Sequence, residues 1–136
     1  KLMRNHDLVI VDTPPKADSD LRPALRAAAL VLVPVAASHV DLWATEGVLD
    51  LARREKRQAL VVLNRMRAGT RLAAEVRTAA QAMEADLAST SLAHRVAYAE
   101  TLGRGLGVQE SARPGQAGAE MAALADEILA SAARIS

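Results

Sequence analysis

Three sets of residues in this sequence have the types and spacing to do chemistry. Asp12 closes the apolar run Leu8-Val9-Ile10-Val11 and is followed by Thr13-Pro14-Pro15. Such a run reads as a buried strand, which puts the aspartate at the strand's carboxyl end, the edge where open α/β sheets take up ligands. A carboxylate there can hold a metal ion directly or through water, and it can equally cap the next turn. The prolines stiffen that turn by fixing φ and removing donors. Asn64 ends a second apolar run, and its amide offers both a donor and an acceptor. By itself Asn64 also suits a plain turn at a strand end. The third set is basic: residues 53–77 hold Arg53, Arg54, Lys56, Arg57, Arg65, Arg67, Arg71 and Arg77 against Glu55 and Glu75. A net charge of +1 hides that asymmetry. It is the footprint of an anionic partner or, alternatively, a solvated helix face and loop.

Other chemistries find little support. His6, His39 and His94 are scattered without metal-ligand spacing. Ser38-His39 beside Asp41 reads as a helix cap rather than a nucleophile with its base. The glycines at 103–107 follow no clear strand and carry no Lys-Thr, so they do not cradle phosphate.

These residues need a scaffold. Short Val- and Leu-rich runs alternate with stretches of helical period, the pattern of a parallel sheet flanked by helices. Strands are expected at residues 8–12, 30–35 and 59–64 and, more weakly, at 89–92. The first three are continuous apolar runs, as strands covered on both faces should be. Ser19 or Asp20 caps a first helix with Pro23 in its opening turn. Ser38 and Asp41 resemble a capping box that opens a helix reaching about residue 57. Thr70 caps a third helix with the stripe Leu72, Val76, Ala79, Met83 and Leu87 facing the core. A last helix spans about residues 117–133, with Met121, Leu124, Ile128 and Leu129 inward. Trp43 is expected in the core or as an interface anchor.

With 136 residues the chain is expected to be one domain or a large piece of one. It has 51% hydrophobic and 24% charged residues, the balance of a folded chain. It lacks phenylalanine and has one tryptophan and one tyrosine, so its core must come from Ala, Leu and Val. The absence of cysteine excludes disulfides and thiolate metal sites. No apolar run approaches the ~18 residues of a membrane span, and a cytoplasmic location is the expectation.

Residues 7–35, DLVIVDTPPKADSDLRPALRAAALVLVPV, resemble the Walker B region of ParA/MinD-type ATPases: apolar strand, Asp, small residue, prolines, helix, then an apolar strand ending in Pro-Val. The likeness continues through DLWATEGVLDL at 41–51, ALVVLNRMRAGTRLAAEV at 59–76 and VAYAETLGRGLGVQE at 96–110. Four blocks in order cover effectively the whole chain. The resemblance implies a P-loop NTPase-like, doubly wound α/β sheet, incomplete here, forming the carboxyl-terminal part of a single ATPase domain. It implies ATP and Mg²⁺ as cofactors in the intact protein. Asp12 matches the Walker B aspartate that positions Mg²⁺. Thr13, Pro14 and Pro15 match the switch that senses the γ-phosphate, and Asn64 matches an adenine-reading asparagine. Arg65, Arg67 and Arg71 fall where ParA-like proteins contact DNA non-specifically, and Arg95 lies near a second such position.

The implied function is ATP-dependent homodimerisation with non-specific DNA binding at the nucleoid. A ParB-type activator would stimulate hydrolysis, in plasmid or chromosome partition or cargo positioning. The alternatives are a non-catalytic DNA- or partner-binding module that has lost ATP hydrolysis, and a related biosynthetic ATPase. This sequence departs from the family in lacking its deviant Walker A run, Lys-Gly-Gly-x-Gly-Lys-[Ser/Thr], and the acidic motif after it. These 136 residues alone are therefore expected to bind ATP poorly and to be inactive. A sheet without the family's early strands has an exposed edge and exposed apolar surface, so self-association is expected of them. Sedimentation velocity checks this, and a well-behaved monomer contradicts it.

Overall fold

The computed structural model describes residues 4–13 and 20–135. Its elements are α1 (Arg22–Ala27), β1 (Leu30–Ala36), α2 (His39–Arg54), β2 (Gln58–Asn64), α3 (Arg71–Gln81), β3 (Asp86–Leu87), α4 (Val96–Leu102) and α5 (Gly115–Ala133). A 3-10 turn at Val108–Glu110 precedes α5. The strands form a parallel sheet in the order β1-β2-β3. β1 and β2 pair from Leu30 opposite Gln58 to Ala36 opposite Asn64. α2 and α3 make the crossovers that parallel neighbours require.

β2 is the centre of the fold. Leu60, Val61, Val62 and Leu63 are 3%, 0%, 4% and 0% exposed, so both faces of this strand are covered. On one face Val61 and Leu63 join Val33 and Val35 of β1, Leu42 and Leu49 of α2, and Val76 and Ala80 of α3. On the other, Leu60 and Val62 meet Ala88 and Leu124 of α5, with Leu30, Leu92 and Ile128 alongside. Each fully buried Val or Leu contributes about 1.5–3 kcal/mol of transfer free energy. The expected α/β architecture, a parallel sheet flanked by helices, is present. Among the described residues β1 is an edge strand, which is why Pro34, without an N–H to donate, is tolerated there.

Several expectations are corrected. Residues 8–12 form no strand: they run irregularly, and Ile10 is 83% exposed. An apolar run becomes a buried strand only against a neighbouring strand, and no described strand pairs with this one. The expected strand at 89–92 is instead β3 at Asp86–Leu87, opposite Leu60 and Val61. The chain beyond it still follows β2, with Ala88 N donating to Val61 O and Leu92 N to Leu63 O. Thr90 and Ser91 break the regular ladder between those bonds.

The Ser38–Asp41 capping box does not form, for Ser38 makes no side-chain cap bond. Asp41 acts instead as a first-turn anion favoured by the helix dipole. Thr70 does cap α3, its Oγ1 accepting from Ala73 N at 3.2 Å. The inner face of α3 is Ala73, Val76 and Ala80; of the expected stripe, Ala79 and, beyond the helix, Met83 and Leu87 pack partly against the same cluster, and Leu72 is exposed. Leu129 of α5 is exposed while Leu124 is buried. Trp43, 71% exposed, is not a core residue. Ser19 lies outside the described residues. The N-cap position of α1 is Leu21, which makes no side-chain cap bond, and Asp20 just before it accepts from Arg22 N at 3.1 Å.

α2 ends earlier than expected, at Arg54, in a Schellman closure. Lys56 N donates to Arg53 O at 2.9 Å and Arg57 N to Ala52 O at 2.8 Å. That geometry holds Lys56 at φ 54°, a left-handed backbone where a Cβ is unfavourable. Lys56→Gly relieves the strain, partly offset by the greater entropy of the unfolded glycine chain. The expected net gain is about 0.5–1 kcal/mol, read as a raised urea midpoint at unchanged slope.

Candidate functional site

At the carboxyl edge of the sheet β2 must leave the core, and it does so abruptly. Asn64 is its last residue, and Asn64 Oδ1 accepts from the backbone N–H of Arg65 at 2.9 Å. Arg65 itself is left-handed, at φ 55°. This one residue resets the alternation of the strand. Met66 returns to the same buried cluster as Val61 and Leu63, while Arg65 and Arg67 face solvent on either side of it. Asn64 thereby spends its acceptor on its own turn, and its amide N–H₂ stays available at the edge.

The segment after β3 completes the edge. Met66 bridges in parallel to Ala93. Met66 N donates to Leu92 O at 3.0 Å, and His94 N donates to Met66 O at 2.8 Å. Below it, Gly69 at φ 76° and Thr70, whose Oγ1 donates to Arg67 O at 2.8 Å, turn the chain into α3.

The four arginines expected to contact an anion differ in what they touch. Arg65 and Arg67 make no side-chain hydrogen bond or ion pair among the described residues. Arg71 is almost fully exposed and pairs with Glu75 one turn along α3 at 2.7 Å. Glu75 Oε2 also stands 3.4 Å from His39 Nε2 at the start of α2. Arg95 is held by Glu120 of α5, with Nε at 3.0 Å and Nη2 at 2.5 Å from Oε1.

The expected nucleotide residues are not assembled here. Asp12 and Thr13 lie on the exposed irregular segment, and Asp12 has no hydrogen bond or ion pair among the described residues. Pro14 and Pro15 fall outside the described residues. No group of three His, Asp or Glu side chains among the described residues could hold a metal ion. The described donors alone do not complete a site for Mg²⁺-ATP. An open groove lies at the opposite end of the sheet. It runs between α2 and the end of α3, beside Glu46, Asp50, Arg53 and Glu84.

Two residues outside the expected set organise the edge from behind. Glu120 Oε2 accepts from Ala93 N at 3.2 Å and from Tyr98 OH at 3.1 Å, in addition to the Arg95 contacts on Oε1. Two turns further along α5, Glu127 accepts from Ser89 N at 2.7 Å, Ser89 Oγ at 3.0 Å and Thr90 N at 3.0 Å. Spaced by seven, both carboxylates fall on the helix face that carries Leu124. Helical period alone marks them as ordinary polar positions. Their partners are backbone N–H groups some thirty residues away, which no local pattern shows.

The Arg95 guanidinium holds the Glu120 carboxyl below its usual value of 4.5, against the opposing effect of burial. Burial pushes the Glu127 carboxyl up, and the bonds from Ser89 and Thr90 together outweigh it, leaving it lowered too. Burial, and then the bond to Glu120, push the Tyr98 hydroxyl up to about 12. Groups with depressed folded-state values stabilise fully above their unfolded value and cease to do so as pH falls through the folded one. The docking of α5 is therefore expected to be insensitive to pH above about 5 and to weaken progressively below the usual carboxylate value of 4.5. Glu127→Gln should cost about 1–2 kcal/mol at neutral pH and flatten the acid limb of a stability–pH curve. Denaturant melts from pH 3 to pH 7 check both.

No protein-family profile matches the chain. The chain is 29% identical over 134 residues to the maintenance of carboxysome distribution protein A of Halothiobacillus neapolitanus. That similarity covers 93% of this chain and 62% of that protein, so the chain spans less than two thirds of the relative's length. No helix among the described residues is long and apolar enough to cross a membrane.

Proposed function

We propose that this chain is part of a ParA/MinD-type ATPase of P-loop NTPase fold that positions intracellular cargo, or partitions plasmids or chromosomes, by binding DNA non-specifically. The observation that carries the reading is the similarity, across nearly the whole chain, to a protein named for carboxysome distribution. It agrees with the four-block resemblance in the sequence. The edge geometry supports the same reading: Arg65 and Arg67 flank a buried Met66 and present two unengaged guanidinium groups to solvent. Contacts of that kind go to phosphate, so they carry affinity and salt dependence but no sequence readout.

In the intact protein, bound ATP with Mg²⁺ would supply the energy for homodimerisation. In this reading Asp12 would hold the metal, Thr13, Pro14 and Pro15 would serve as the switch, and the N–H₂ of Asn64 would meet adenine. A ParB-type partner stimulates hydrolysis, and the protein acts in the cytoplasm at the nucleoid.

The test is binding of duplex DNA of arbitrary sequence, followed by fluorescence anisotropy from low to moderate salt, on the intact ATP-bound protein. Arg65→Ala and Arg67→Ala should each weaken binding about equally for unrelated sequences and lower the salt slope by about one. Binding that discriminates strongly between sequences, or that ignores both substitutions, overturns the DNA-binding reading. No salt-dependent binding at all sinks the partition scheme.

A further inference from the structure

Arg95 differs from Arg65 and Arg67 in one respect. It reaches the same edge, but its guanidinium is already taken. We propose that Glu120 is an intramolecular competitor for Arg95, so that a phosphate backbone engages this arginine only by displacing the α5 carboxylate. The proposal rests on the DNA-binding reading above and adds to it a built-in regulation of affinity.

Three observations carry it. The first is position. Ala93, two residues before Arg95, bridges to Met66, which lies between Arg65 and Arg67. Arg95 thus stands two residues beyond the point where its segment pairs with the turn that carries the two unengaged arginines. The second is occupancy. Two of the Arg95 nitrogens, Nε and Nη2, converge on a single oxygen, Glu120 Oε1, at 3.0 and 2.5 Å, and the two side chains retain 30% and 20% of their exposure. Such a half-buried pair is screened less than a fully exposed one and partly neutralises the charge of the arginine.

The third is what Glu120 keeps when Arg95 leaves. Its other oxygen still accepts from Ala93 N and Tyr98 OH. The carboxylate is not stranded without partners, the circumstance that makes breaking an enclosed ion pair so costly. Glu127 and Leu124 meanwhile hold α5 in place through contacts that do not involve Arg95. The exchange thus needs one guanidinium to swing, without undocking the helix.

The experiment compares the intact protein with Glu120→Gln, Arg95→Ala and the double variant, using anisotropy with arbitrary duplex DNA across a salt series. Gln keeps the shape and an acceptor for Ala93 N but gives up the charge that retains Arg95. Glu120→Gln is expected to tighten DNA binding by about threefold to tenfold and to steepen the salt slope by about one. Arg95→Ala alone should change little, and in the double variant the gain should vanish. Glu100→Gln, which removes an exposed acidic charge elsewhere, should show no comparable gain. A gain that survives Arg95→Ala, or that Glu100→Gln reproduces, overturns the proposal.

If Glu120→Gln fails to fold by circular dichroism, Glu120→Asp, which retracts the same charge by one methylene, replaces it with the same expected direction. Titration with inorganic polyphosphate separates the two ideas. A gain on polyphosphate with no binding to DNA overturns the DNA reading and leaves the exchange standing. No gain on either polyanion, from a protein whose DNA binding still depends on Arg65 and Arg67, overturns the exchange alone.

Discussion

Between Leu60 and Leu63 the chain is enclosed on every side. β1 and β3 pair with its two edges, α2 and α3 lie over one face, and α5 lies over the other. Everything else follows from that burial. Because both faces are apolar, the flanking crossovers must be helices that each offer one apolar stripe. Because the strand cannot continue into solvent in the same pattern, it needs a device at its carboxyl end that takes the backbone out of the ladder without exposing Met66. The left-handed Arg65, with the Asn64 side chain closing the turn, is that device. The candidate site is in this sense a consequence of how the central strand ends.

The two faces are held by different physics. α2 and α3 dock through a continuous aliphatic cluster in which Val35, Val61, Leu63 and Val76 are fully buried. The α5 face is thinner, since Leu60, Val62, Ala88 and Leu124 are its buried members. Without phenylalanine and with alanine so frequent, the helix has little apolar area to fix its rotation and height. Within its own first turn a Cβ on Gly118 would come 2.3 Å from Pro114 Cβ, so α5 begins in this geometry only with glycine there. Carboxylates do the rest. Glu120 and Glu127 grip backbone N–H groups of the 89–93 segment, and directional bonds locate the helix where dispersion does not.

How much of this was legible in the sequence depends on whether the cause was local. β1 and β2 could be read almost to the residue, because long aliphatic runs covered on both faces leave few alternatives. Thr70 could be read as a cap because its partner is three residues away. Residues 8–12 show the limit. They have the composition of β1, yet strand formation is decided by a partner strand and not by the run itself. β3 shows it again, displaced toward residue 86 because pairing with Leu60 and Val61 outweighs propensity at 89–92. At the site, the positions of Asn64, Arg65 and Arg67 could be read, whereas the engagement of Arg95 could not. Its partner is twenty-five residues away on a helix whose polar face has no distinguishing period.

Lys56 and Arg65 adopt nearly the same backbone conformation, at φ 54° and 55°, for different reasons. At Lys56 the Schellman bonds of α2 impose it, and the side chain is incidental. At Arg65 no helix ends. The reversal serves instead to bring Met66 back to the core, and the outward position it creates is filled by arginine although glycine or asparagine would fit with less strain. A backbone cost of this kind is retained where the surrounding structure over-determines it, and such positions cluster at functional sites. The strain therefore marks the same edge that the unengaged guanidinium groups mark. The turn that ends the central strand is also the turn that presents the charge.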